Sequence, residues 1–253
     1  MNQKIALITG ATAGIGYETA HLLAQNNYNL ILTGRRKDRL ESIKNNLESS
    51  FHCNILLLSF DIRNRKDTEK ALNDIPTEWR AINVLINNAG LAAGLAPIYS
   101  ADVDDWENMI DTNVKGLLYA SRIITPWMIE RNSGHIINIS SIAGKESYPS
   151  GSVYCGSKHA VAAISKAMRI ELLPFGIKVS TIAPGAVNTE FSLVRFRGDQ
   201  DKADLVYKGF SPLEAKDIAE TILFIITRPP HVNIDDLLIM PTNQASARDF
   251  NRK

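Results

Sequence analysis

The sequence predicts a doubly wound α/β domain, with a parallel sheet covered by helices on both faces. Three observations carry that expectation. Short apolar, β-rich runs alternate with amphipathic stretches along the chain, as parallel strands joined by helical crossovers require. The first run, Lys4 to Thr9, passes directly into a glycine-rich turn and then a helical stretch. Polar motifs then recur at the C-terminal ends of the expected strands, the edge where such sheets bind ligands.

Composition bounds the function. The chain has 253 residues, 45% hydrophobic and 22% charged, with a net charge of +1. That fits one domain over residues 1–253 with an ordinary core. The balance argues against a nucleic-acid surface or a basic protein partner. Cys53 and Cys155 stand far apart with no metal-ligand spacing, so neither a disulfide framework nor a metal site is expected. The opening MNQKIALITG lacks a signal-peptide core. No apolar run approaches the roughly 20 residues that span a bilayer. A soluble cytoplasmic protein acting on a small molecule is expected.

The elements follow in order. After the first strand come Gly10, Thr12, Ala13, Gly14, Ile15 and Gly16, then a helix over Tyr17 to Asn26. Glycines between strand and helix let backbone N–H groups approach a pyrophosphate at the helix N-terminus. Tyr28 to Thr33 is the second strand, ending at Gly34, Arg35 and Arg36. An acid here would bind the ribose 2′-hydroxyl of NAD. Two arginines instead match the 2′-phosphate of NADP. Asp38 to Ser50 is a helix with Leu40, Ile43 and Leu47 on one stripe. Asn54 to Phe60 is the third strand, with Asp61 and Ile62 at its end, placed to touch an adenine ring. Asn64 to Ile75 is helical and stops at Pro76. Ile82 to Ile86 is the fourth strand, followed by Asn87, Asn88, Ala89 and Gly90.

Val103 to Glu130 is mostly helical, with Asn113 and Gly116 as unfavourable interior residues and Pro126 as a break. His135 to Ile139 is the fifth strand, running into Ser140 and Ser141, and Lys178 to Ile182 is the sixth, closed by Pro184 and Gly185. From about 186 to 212 the alternation lapses, through Val187, Thr189, Phe191 and Arg195. A connection this long reads as a lid or binding segment. Leu213 to Arg228 is a helix, Ile234 to Met240 a seventh strand, and Pro241 to Lys253 a polar tail, mobile or in contact with another subunit.

The stretch Ser152 to Ile170 carries the chemistry. Tyr154 and Lys158 stand four positions apart, so a helix stacks them on one face. An ammonium group one turn away favours tyrosinate and lowers the tyrosine pKa from about 10, making a general acid–base.

Taken together, Thr9, Gly10, Gly14, Gly16, Asn87 to Gly90, Asn113, Ser141, Tyr154, Lys158 and Pro184–Gly185 resemble the short-chain dehydrogenase/reductase family over nearly the whole chain. The resemblance implies a seven-stranded Rossmann sheet in the order 3-2-1-4-5-6-7 and an Asn–Ser–Tyr–Lys site. It implies that Ser141 hydrogen-bonds the substrate oxygen and Tyr154 exchanges its proton. Lys158 would lower the tyrosine pKa and hold the nicotinamide ribose, and Asn113 would hold a relay water. It implies a homotetramer, packed through central helices that here carry Val161, Ile164 and Met168.

A finer resemblance is to bacterial NADP-dependent 3-hydroxy acid dehydrogenases, which oxidise serine, allo-threonine and 3-hydroxypropionate-like acids. It rests on Ile31 to Arg36, Asp61 to Arg65, Ile110 to Asn113, Glu130 to Asn132, Glu190 to Phe196, Phe210 to Leu213 and Met240 to Thr242. Two departures stand out. Ala13 occupies a position where many NADP-using members carry a basic residue, and the segment Pro184 to Glu190 is shorter than in some serine-oxidising relatives. An acid substrate needs a cationic partner, for which Arg195 is the candidate. A reductase of neutral ketones or aldehydes is the alternative. A non-catalytic NADP(H) sensor is the remote one, since such proteins usually lose the Tyr or Lys kept here.

Overall fold

The computed structural model describes residues 3–253. The first six strands are β1 (Ile5–Ile8), β2 (Asn29–Gly34), β3 (Ile55–Ser59), β4 (Ile82–Asn87), β5 (His135–Ile139) and β6 (Lys178–Pro184). Two short strands, β7 (Val187–Asn188) and β8 (Leu213–Glu214), pair only with each other. β9 (Asp236–Ile239) completes the main sheet, in the order β3-β2-β1-β4-β5-β6-β9 with every pair parallel. This is the expected topology, with β9 as the seventh strand.

Alternation along the strands divides the core in two. Ala6, Ile8, Leu30 and Leu32 face one side, with α1 (Gly14–Gln25), α2 (Lys37–Ser50) and α9 (Ala215–Ile226). Ile5, Leu7, Ile31 and Leu85 face the other. There they meet Leu72 of α3 (Arg65–Asn73), Ala120 and Ile124 of α5 (Leu117–Glu130), and Leu172 of α6 (Ser152–Leu172). With helices on both faces, the strand ends are the available edge for a ligand.

Four expectations change. The break between Val103 and Glu130 lies at a π turn, Asp111–Gly116, between α4 (Val103–Ile110) and α5. Pro126 sits inside α5. Its missing N–H deprives the carbonyl of Arg122, and Arg122 lies on the exposed side of the helix, where water can serve. The 186–212 segment is built rather than irregular, with α7 (Glu190–Arg195) and α8 (Gln200–Tyr207) between β7 and β8. The last helix begins at Ala215 because Glu214 and Asp217 form a capping box.

The tail folds back on its own chain. Gln244 is buried and accepts a hydrogen bond from the Ala186 N–H at 2.8 Å, and Phe250 packs against Phe210 in a tilted pair with ring centroids 4.9 Å apart. Val161 is buried in this chain and Met168 packs on its core, so neither presents a free apolar face. The exposed apolar residues at that end of α6 are Ile170 and Leu173. Among the described residues no helix is long and apolar enough to cross a membrane.

Candidate active site

A cleft with about 340 Å³ of interior space opens along the C-terminal ends of β1, β2, β4, β5 and β6. Its floor is the turn after β1. Gly10 and Gly14 hold left-handed backbone, at φ of +69° and +52°, where any other residue is strained. A Cβ on Gly16 would overlap the Gly10 carbonyl oxygen and lie 2.6 Å from Asn88 Nδ2. Gly16 therefore serves close approach of the helix, and unlike Gly10, Thr12, Ala13, Gly14 and Ile15 it does not line the cleft.

Asn88 and Ala89 brace this turn from β4. Asn88 Nδ2 donates to the carbonyls of Thr9 and Gly10 at 2.9 and 3.1 Å. Thr9 Oγ1 accepts the N–H groups of Asn88 and Ala89, both at 3.0 Å. Asn87, by contrast, is a core residue, donating to Ser121 Oγ and Asn138 Oδ1.

At one end of the cleft stand Arg35, Arg36, Asp61 and Ile62. Arg35 is exposed, 3.9 Å from Asp61. Burial opposes ionisation of Asp61, but hydrogen bonds from Arg63 outweigh it and hold the carboxyl below its usual range. Arg36 is engaged by protein groups in this structure. Its Nε and Nη2 donate to Thr12 Oγ1 at 3.1 and 2.8 Å, and its Nη1 to Glu190 Oε2 at 2.8 Å. The other Glu190 oxygen accepts Arg39 Nη1 at 2.7 Å. Nothing in the local sequence signals Glu190 or Arg39, because their contact spans 151 positions.

At the other end α6 brings Tyr154 and Lys158 onto one wall with Ser141, as the four-residue spacing requires. Ser141 caps the short turn Ile142–Gly144 by accepting the Ala143 N–H, and its hydroxyl lies 3.5 Å from the Pro184 carbonyl. Ser140 instead donates to the Lys158 carbonyl at 3.1 Å, a structural bond. Lys158 Nζ donates to the Ile139 carbonyl at 3.0 Å.

Asn113 does not line the cleft. Its amide is fully engaged, accepting from Leu91 N at 2.8 Å and donating to Leu91 O and Ser157 Oγ at 2.9 and 3.0 Å. The side chain therefore locks the π turn to the strand-end loop and has no free donor for a water.

The local expectation for Tyr154 is reversed. Burial, reinforced by the neighbouring Tyr148, pushes its pKa up; a hydrogen bond with Ser141 and the charge of Arg195 pull weakly the other way. Burial also lowers Lys158 to about 8. The low polarity of the wall outweighs the helical spacing.

The remaining wall is the 186–212 segment. Val187, Thr189, Glu190, Phe191 and Val194 line the cleft beside Pro184 and Gly185. Thr189 Oγ1 caps α7 by accepting the Phe191 N–H at 3.2 Å. Arg195 lies behind this lining: Nε donates to the Gly94 carbonyl at 3.2 Å, and the guanidinium carbon is 5.7 Å from the Tyr154 ring centroid and 5.9 Å from that of Tyr148. It makes no ion pair with a carboxylate among the described residues. Thr33, Phe60, Leu91, Thr112 and Ile139 also line the cleft, with Gly34 and Ser140; the first five are ordinary apolar or small residues with no signal by which sequence could single them out.

Known proteins align with this arrangement. The family model described as short chain dehydrogenase matches residues 4–198. A relative from Salmonella typhi, the NADP-dependent 3-hydroxy acid dehydrogenase YdfG, is 46% identical over 244 residues, 96% of this chain and 97% of the relative. An NADP-dependent 3-hydroxy acid dehydrogenase of Schizosaccharomyces pombe is 43% identical over 254 residues, all of this chain and 98% of the relative. Among solved structures, a closed form of serine dehydrogenase complexed with NADP+ superposes with a TM-score of 0.91 at 44% identity, covering 98% of this chain and all of that one. The serine dehydrogenase from Escherichia coli superposes at 0.83 with 39% identity, covering 95% and 99%. By this likeness and by the strand order, glycine turn and Ser–Tyr–Lys wall it accompanies, the chain belongs to the short-chain dehydrogenase family.

Proposed function

We propose that this chain is an NADP-dependent dehydrogenase of small 3-hydroxy acids such as serine, allo-threonine or 3-hydroxypropionate. The observation that carries the reading is one cleft holding two chemistries, with Ser141, Tyr154 and Lys158 at one end and an arginine cluster at the other. The similar proteins named for that activity support it.

The residues fit a bound dinucleotide. The glycine turn exposes backbone at the N-terminus of α1, where a pyrophosphate is favoured. Arg35 and Arg36 offer cations for a 2′-phosphate, and Ile62 an apolar contact for a base. The coenzyme, when bound, supplies the nicotinamide that accepts or returns a hydride. Tyr154 Oη takes the substrate hydroxyl proton during oxidation and returns it during reduction. The Ser141 hydroxyl donates to the substrate oxygen as charge grows there. The Lys158 ammonium offsets the burial that keeps Tyr154 protonated, and would hold the nicotinamide ribose. Arg195 shifts from Gly94 to pair with the substrate carboxylate.

Reduction of neutral ketones is a second reading, favoured by the engagement of Arg195 with Gly94. NADP-linked rates on L-serine, L-allo-threonine, 3-hydroxypropionate and uncharged alcohols separate the two: acids lead under the first reading, uncharged alcohols under the second. Tyr154→Phe should abolish turnover while NADPH still binds, read by coenzyme fluorescence. Near-normal turnover in that variant would falsify the assignment. We also read the protein as a cytoplasmic homotetramer. Its two free cysteines and the exposed Ile170 and Leu173 of the α6 end support this, and light scattering tests the assembly.

A further inference from the structure

We infer that Glu190 is a positioning residue that latches helix α7 across the cleft and thereby sets how long the coenzyme stays bound. The inference rests on the reading of the cleft as a coenzyme site.

The first argument is mechanical. α7 has only six residues, too few to hold a place by its own hydrogen bonds. It crosses the cleft, presenting Phe191 and Val194 to the interior, with Phe191 5.8 Å from the Tyr154 ring. Its middle is tied to α8 by the Ser192 and Tyr207 hydroxyls, 2.7 Å apart, and each end has an anchor of its own. At its C-terminal end the Gly94 N–H donates to the Arg195 carbonyl at 3.0 Å, and Arg197 pairs with Asp102 and Asp105 at 2.7 and 3.0 Å. At its N-terminal end the matching anchor is the Glu190 carboxylate. It grips Arg36 with one oxygen and Arg39 with the other, at 2.8 and 2.7 Å. Both arginines belong to the start of α2, on the far side of the cleft mouth.

The second argument is electrostatic. Arg35, Arg36, Lys37 and Arg39 crowd the N-terminal end of α2, the positive end of a helix dipole. Such a cluster needs anions. Glu190 supplies one, and the hydrogen bonds from Arg36 and Arg39 hold its carboxyl below the usual range. Arg35 makes only a 3.9 Å contact with Asp61, so it remains for the coenzyme phosphate. Glu190 and a 2′-phosphate are thus co-ligands of one cationic cluster, the first holding the helix and the second the coenzyme. Glu190 touches no reacting atom; it acts through Arg36 and Arg39.

The test is stopped-flow release of NADPH, chased with excess NADP, in the full chain. Glu190→Gln keeps the size and removes the charge at an exposed position, and Arg39→Gln removes one partner that lies outside the cleft lining. Glu190→Gln should speed NADPH release by about threefold to tenfold, and Arg39→Gln by less, as expected for partly exposed ion pairs. The double variant should release no faster than Glu190→Gln alone, because the two share one contact. Hydrogen exchange of the amides of residues 190–195 in the NADPH complex should rise in the same order. Unchanged release in Glu190→Gln overturns the latch. Slower release also overturns it, by making the carboxylate a competitor of the phosphate. Failure of the unaltered protein to bind NADPH overturns both the latch and the coenzyme reading, whereas normal binding with unaltered release overturns the latch alone.

Discussion

Tyr154 shows at the residue scale how surroundings override spacing. Lys158 stands one helical turn away, yet burial pushes the tyrosine up and the lysine down to about 8. Burial disfavours the charged form of both groups. This has a measurable consequence for stability. In the unfolded chain Lys158 keeps its proton to about pH 10.4; in the folded chain it releases it near 8. Between those values the unfolded state binds more protons, so stability rises with pH. Urea unfolding from pH 7 to 10 should show the natural protein gaining on Lys158→Met across that window, by up to about 3 kcal/mol. Below pH 8 the difference should be flat. Arg195 is a second single-residue case. Arg195→Ala should raise KM several-fold for acid substrates with kcat less changed, as loss of a ground-state carboxylate contact does. An equal loss on uncharged alcohols would point to its contact with Gly94 as the cause.

At the element scale, helix boundaries follow local chemistry where a side chain supplies the cap and depart from it where packing intervenes. Asn64 caps α3 as its residue type suggests, its Oδ1 accepting the N–H groups of Lys66 and Asp67 at 3.0 and 3.3 Å. Asn64→Ala should cost about 1 kcal/mol, a fall in Tm of roughly 2 to 4 °C for a chain of this size, read by calorimetry. Pro126 was the obvious breaker between Val103 and Glu130, but the chain deforms at Asp111–Gly116. The reason is that Asn113 bonds outward, to Leu91 and Ser157. A turn widened to accommodate that bridge cannot be foreseen from the helix alone.

For the whole molecule, the C-terminal tail couples the far end of the chain to the site. Gln244 Oε1 accepts the Ala186 N–H, beside Gly185 in the cleft wall. Its Nε2 donates to the Ser246 carbonyl at 3.0 Å, which fixes the amide in place. Gln244→Ala leaves a partly buried backbone donor unpaired, a loss of about 1 to 3 kcal/mol. The expected outcome is a lower Tm together with faster proteolysis within residues 186–212, since both share the lost bond. A change in neither would show the tail to be a passive cover. At this scale too, β1, β2, β4, β5 and β6 all end on one cleft, which a parallel sheet achieves only because every strand runs the same way.

By itself the sequence determined the alternation of strands and helices, the glycine turn, the stacking of Tyr154 on Lys158 and the arginines after the second strand; the strand order and the role of Ser141 came from the family resemblance. The first group rests on strand alternation, on helical spacing, and on backbone freedom at Gly10 and Gly14, all set within a few residues. Only the tertiary structure decided that Tyr154 is buried enough to resist ionisation, that Asn113 braces a π turn, and that Glu190 reaches Arg36 and Arg39. Each of these depends on groups distant in the chain: desolvation is a property of everything packed around an atom, and an ion pair needs both charges delivered to one place.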